Sequence, residues 1–156
     1  TRLASDYDST GGRRSARRRL GITMESTELA VTTGNRLVTD LTNEIARFCA
    51  GAGDGLVNVF VPHATAGVAI IETGSGTEPD LELALEGLLP TKDIYRHRHG
   101  SLGHGRDHVM PAFISPSVSI PVINGRLALG TWQSVVLVDP NGDNPQRQVR
   151  ISFLAG

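Results

Sequence analysis

Eighteen glycines and eight prolines punctuate a chain of 156 residues and cut its apolar sequence into runs too short for a helical bundle. What remains is a chain of short strands joined by tight turns. No apolar stretch approaches the roughly 18 residues that a helical membrane span needs, so no membrane partner is expected. A hydrophobic fraction of 39% supports a core, and this length sets one domain as the default. Cys49 is the single cysteine. It has no partner for a disulfide or a Cys-based zinc knuckle, which fits a reducing, cytoplasmic setting.

Charge divides the chain unevenly. Residues 1–23 carry six Arg and two Asp, with no apolar periodicity and no hydrophobic segment of signal-peptide length. A disordered basic extension over 1–23 is therefore expected, followed by one domain over 24–156. The remaining residues hold 9 basic against 14 acidic side chains, and aromatics make up 4% of the chain, so a nucleic acid has little to hold and none is expected as a partner.

Periodicity then places the elements. Glu28 to Thr33 is a strand candidate. Asp40 offers a cap for a helix over 40–50, with Leu41, Ile45, Phe48 and Cys49 on one face before Gly51 and Gly53 stop it. Leu56 to Val61 alternates, with Val57, Val59 and Val61 on one side, and strand character resumes from Val68 to Ile71. A second helix is predicted over 79–89, with Leu81, Leu85 and Leu88 on its apolar face. Asn124-Gly125 between Ser117 to Val122 and Arg126 to Leu129 reads as a hairpin turn with two positive φ angles. Trp132 to Val138 and Gln148 to Phe153 are expected to pair across the turn at 139–143. The sum is an α+β domain, mainly antiparallel β-sheet or sandwich, with about seven strands and two or three helices.

All five histidines, at 63, 97, 99, 104 and 108, lie within one third of the chain. Imidazole is the commonest ligand for zinc-like ions, so this clustering points to a metal or anion site; the alternative is a polar, solvated loop. In the run Tyr95-Arg-His-Arg-His99 an extended backbone sends both imidazoles to one face and both guanidiniums to the other. His104 and His108 are four apart, yet Gly103 and Gly105 argue against a helix that covers both. His63 follows a strand end and Pro62, where a side chain can meet a ligand or sit satisfied in the core. Glu72 and Asp80 are carboxylate candidates for a general base, a ligand or an orienting partner, and Asp80 equally suits a helix cap. Gly74-Ser75-Gly76 lacks the lysine and spacing of a phosphate-binding loop. Cys49 reads as core.

The stretch from His63 through Asp80, then Tyr95-Arg-His97, Asp107-His-Val109 and the run Gly125-Arg-Leu-Ala-Leu-Gly-Thr-Trp-Gln133, resembles the YjbQ family, also called secondary thiamine-phosphate synthases. The resemblance spans residues 26 to 154. It implies a compact α+β subunit, a homotrimer, and a divalent metal ion, zinc or magnesium, held by His63, His97 and His108. By the same resemblance Glu72 and Asp80 are catalytic candidates, and Thr131 and Gln133, around Trp132, are cofactor- or ligand-binding candidates. Ile71 and Thr73 stand where the family has asparagines, residues 74–77 include an insertion, Asp107 replaces a small residue, and Asp139 falls where a glutamate is usual. His99 and His104 have no placed counterpart. The implied reaction is transferase chemistry on a phosphorylated small molecule: hydroxymethylpyrimidine diphosphate joins thiazole phosphate with loss of pyrophosphate. The alternatives are a metal-dependent hydrolase of phosphate or ester bonds and a non-catalytic trimeric metal- or small-molecule-binding protein.

Overall fold

The structure, a computed structural model, describes residues 23–92 and 94–156. The basic extension expected over 1–23 lies, Thr23 aside, outside the described residues. The α+β expectation holds: among the described residues there are eight strands in two antiparallel sheets and three helices. In the five-stranded sheet, β8 (Gln146–Ala155) lies between β1 (Met24–Thr32) and β3 (Gly55–Phe60), followed by β5 (Ser117–Ile123) and β6 (Arg126–Leu127). The three-stranded sheet places β7 (Ser134–Val138) between β2 (Val38–Asp40) and β4 (Gly67–Ile71).

Side-chain alternation explains which strand went where. β8 alternates buried and exposed residues, the pattern of a sheet with one solvated face, and its Val149, Ile151 and Phe153 join Val57, Val59, Ile120 and Val122 in the main core. β7 has no polar face at all. Val135 and Leu137 pack into the same core, while Val136 and Val138 face the other way against Leu85, Leu89 and Met110. The three-stranded sheet is thus a middle layer between the larger sheet and α2 (Thr77–Leu88).

The pairing expected between the last two long strands is therefore corrected. β7 and β8 belong to different sheets, and residues 139–145 cross between layers instead of closing a hairpin. A strand apolar on both faces is best buried between two layers, with neighbours on both edges; an alternating strand is not. The three-residue β2 was too short to register as a pattern. On α2 the inward stripe is Leu81, Leu85 and Leu89, and Leu88 is exposed, because a stripe at i, i+4 and i+8 meets the sheet here. The Asn124-Gly125 turn has φ of 51° and 72°, and it registers Ile123 opposite Arg126 as the hairpin reading requires. α1 (Thr42–Cys49) starts where Asp40 Oδ1 accepts from the Thr42 amide at 2.8 Å, and Cys49 is fully buried.

Candidate metal centre

Two short segments carry four histidines. His97 and His99 follow Tyr95 in irregular chain, and their ring centroids lie 4.1 Å apart. Arg98 lines the same cleft as both rings, so the expected division of imidazoles to one face and guanidiniums to the other is corrected, because the segment is not a regular strand. His104 opens α3 (His104–Asp107) and His108 caps it, so the glycines at 103 and 105 do not prevent the helical turn that brings this pair together. They enable it. Gly103, with φ of 90°, supplies the left-handed residue ahead of the helix. Gly105 lies against the other segment: a Cβ there would meet Tyr95 Cβ at 2.7 Å and the His97 carbonyl oxygen at 2.8 Å. Only a residue without a side chain lets the two histidine pairs meet.

The result is a group of four imidazoles whose ligand atoms all lie within 4.8 Å of one another. His104 and His108 turn their Nε2 atoms toward each other at 3.0 Å. Zinc–imidazole bonds of about 2.0–2.1 Å in a tetrahedron place nitrogens roughly 3.4 Å apart, a spacing these rings reach by small side-chain rotations. Burial first, and then the neighbouring imidazoles, hold His97 and His108 below the ordinary imidazole value. Both rings are then neutral at pH 7 with lone pairs free for a cation.

Asp143 orients the group from outside. Its Oδ2 lies 3.2 Å from His104 Nδ1, and it also accepts from the Ser101 amide at 3.3 Å. Hydrogen bonds from Ser101 hold this carboxyl below its usual range, so it stays ionised and draws the His104 proton to Nδ1. That leaves the Nε2 lone pair aimed into the cluster. Asp143→Ala is expected to weaken zinc binding 10- to 100-fold, the usual scale for losing such a partner. A competition titration with a chelator reads the change, and an unaltered affinity would remove Asp143 from the centre.

The other candidates sort by position. His63, half-buried, is not one of the four grouped rings, yet it lies near enough to His108 for its charge to lower that ring's pKa. Its Nδ1 accepts from the Thr65 amide at 3.3 Å, with the Thr65 hydroxyl 3.0 Å away, which puts the neutral ring's proton on Nε2. Burial and the charge of Arg147 hold His63 below its ordinary value. Behind it Arg147 and Asp139 form a fully buried ion pair, with Nε 2.8 Å from Oδ2 and Nη2 donating to Oδ1 at 3.2 Å. Nε and Oδ2 have no other partner among the described residues and meet at an angle too poor for a good hydrogen bond. Glu72, Thr131 and Gln133 lie at the opposite end of β7. Ile71 pairs with Ser134 at its start, whereas Asp139 leaves its end, about 16 Å away for five residues of strand. Asp80 is in the first turn of α2, about 9 Å along the axis before Glu86, whose carboxylate meets Arg106 of α3. Gln133 Oε1 is engaged by the Gly130 amide at 2.8 Å. Within one chain these four residues do not meet the histidines.

Sequence reasoning missed three residues here. Arg147 shares the inward parity of Val149, Ile151 and Phe153, so an arginine at a core position of an alternating strand was a readable signal. Asp143 lay in a stretch that reads as turn. Lys92 carried no signal, yet with Arg98, His97 and His99 it lines a cleft of about 300 Å³ that has no carboxylate among its described lining residues.

Comparison with known proteins adds a family and a fold. A family model described as UPF0047 protein YjbQ-like matches residues 27–156. A UPF0047 protein of Mycobacterium tuberculosis is 59% identical over 133 residues, which cover 85% of this chain and 100% of that protein. One from Methanothermobacter thermautotrophicus is 33% identical over 138 residues, 85% of this chain and 94% of its own. Among solved structures, a hypothetical protein from Aeropyrum pernix superposes with a TM-score of 0.77 at 30% identity, covering 85% of this chain and 99% of that one. A YbjQ-like protein of unknown function from Sulfolobus solfataricus gives a TM-score of 0.80 at 21% identity, with 86% and 99% covered, and supports the fold alone.

Proposed function

The chain belongs to the UPF0047 YjbQ-like family, and on that footing we propose that it is a metal-dependent enzyme acting on a phosphorylated small molecule at the centre formed by His97, His99, His104 and His108. The observation that carries this reading is the convergence of four imidazoles beside a cleft that also presents Lys92 and Arg98. An all-nitrogen donor set suits zinc better than magnesium, which prefers oxygen ligands and keeps its waters. When bound, the ion supplies Lewis-acid stabilisation of a phosphate oxygen or a water of lowered pKa.

The chain's own residues supply the rest. Lys92 and Arg98 meet the charge of a phosphate or pyrophosphate group in the cleft, where a cation placed to match developing charge lowers the barrier. In the synthase form expected from the resemblance, the thiazole nitrogen forms a bond to the pyrimidine methylene carbon as the carbon–oxygen bond to pyrophosphate breaks. In the hydrolytic form, water instead forms a bond to phosphorus as the phosphorus–oxygen bond to the rest of the substrate breaks, and the products are free phosphate and an alcohol. Glu72, Asp80, Thr131 and Gln133 join either form only if a homotrimer sets that pole of one copy against the histidines of another. The buried single thiol of Cys49 is in keeping with a cytoplasmic setting.

The test is a single-turnover assay of zinc-loaded protein with both synthase substrates, scored for thiamine phosphate and, separately, for free phosphate. Product from the wild type and none from a His97→Ala/His108→Ala variant is the expected result. Zinc bound with neither product formed would leave a binding protein in place of an enzyme.

A further inference from the structure

Beside the Lys92 cleft, and lined by Thr91 and Arg106 where the cleft is lined by Lys92 and Gly105, lies a separate cavity of about 700 Å³. We propose that it binds the organic body of the substrate, a compact apolar group bearing a cationic or N–H-rich function such as an amine or amidine; this rests on the metal-site reading for its place in the reaction. The volume falls in the range of small-molecule sites. One wall is a single face of α2, where Glu82, Leu85, Glu86 and Leu89 recur at helical spacing, and Met110 faces them. Such a wall is apolar at its base and acidic along its rim.

The charges decide what fits. Arg106 lines the cavity but is already engaged: its Nη1 donates to Thr91 Oγ1 at 2.6 Å and to Glu86 Oε2 at 3.2 Å, and its Nε donates to Asp107 Oδ1 at 3.2 Å. Asp139, also in the lining, is matched by Arg147. Glu82 has no ion-pair or hydrogen-bond partner among the described residues. The net lining is therefore acidic, and it repels the phosphate that the Lys92 cleft attracts.

The cavity and the cleft share no lining residue, but the cavity reaches the histidine group at one point. Asn141 lines the cavity while its Nδ2 lies 3.5 Å from His104 Nδ1, and Arg106 is two residues beyond His104 on α3. A donor-rich group held against Glu82 would therefore sit on the Asn141 side of His104, with the anionic part of the substrate on the side of Lys92 and Arg98.

The test uses two aromatic probes of equal shape and opposite charge, benzamidinium and benzoate, titrated into the zinc-loaded full chain and followed by amide NMR shifts. Saturable shifts at Leu83, Leu89 and Met110 with benzamidinium, and none or far weaker ones with benzoate, are expected. Glu82→Gln, an exposed substitution that leaves the core intact, should weaken benzamidinium about threefold to fivefold, the scale of an exposed ion pair. Zinc affinity, measured on the same samples, should stay unchanged. Equal binding of the two probes, no saturable shift, or shifts away from the cavity would overturn the proposal. Failure of zinc to bind while benzamidinium still occupies the cavity would reject the metal reading and leave the cavity as a site of its own.

Discussion

Asp139→Ala is expected to cost about 3–5 kcal/mol of folding stability, a large part of the roughly 5–15 kcal/mol that a domain of ordinary stability has. The reason is asymmetric. Both side chains of the Asp139–Arg147 pair are fully buried, and Arg147 Nε has no partner but Asp139 Oδ2 among the described residues, so deleting the carboxylate strands a guanidinium in the core. The Asn144 and Gln146 carbonyls, which accept from Arg147 Nη1 at 2.6 and 2.7 Å, offset only part of that charge. Burial drives the Asp139 carboxyl up and Arg147 draws it down, so the pair is in tension before any substitution. Replacing both partners at once, as Asp139→Leu with Arg147→Met, should recover most of the loss, because no unpaired charge is left. Urea unfolding of the two variants decides it. A single-variant cost under about 1 kcal/mol would mean that water reaches the pair.

His104→Ala with His108→Ala is expected to abolish tight zinc binding, a loss of more than the 10- to 100-fold given by removing an outer partner such as Asp143. The two rings approach to 3.0 Å at Nε2 and share one helical turn, so the double change deletes half the ligand set while leaving the core in place: both are half-buried, and neither joins a hydrophobic cluster. Metal content by elemental analysis should fall from about one ion per chain to none, with the thermal midpoint of the metal-free protein little changed. His63→Ala is the informative control. Since His63 is not among the four grouped rings and turns Nδ1 to Thr65, its loss should leave zinc content intact, although its charge reaches His108. Equal zinc loss from both variants would shift the centre toward His63.

Much of the fold was legible because its signals are local. Val57, Val59 and Val61 alternate inward as one strand's pattern says they must, and Asn124-Gly125 makes its turn through two positive φ angles that few other dipeptides adopt. The pairing of β7 was not legible, because an all-apolar run states only that both faces are covered and not by which neighbours. For the centre, the clustering of histidines was readable, whereas the facing of Arg98 to the same cleft as His97 and His99, and the meeting of that pair with His104 and His108, were not. Glycine statistics counted Gly103 and Gly105 against a helix, while in the fold both are needed for a close approach between segments.

The amino-acid sequence on its own determined the class of the domain, its short-strand character, its apolar faces and the residue types from which a metal centre can be built. Those follow from periodicity and from backbone preference, which act over a few residues. The tertiary structure alone decided that His99 and His104 lie with His97 and His108, that Asp143 lies beside one ring, and that Asp139 meets Arg147 out of water. Each of these depends on distances between segments far apart along the chain, set by how two sheets and a helix stack, and no local pattern encodes such a distance.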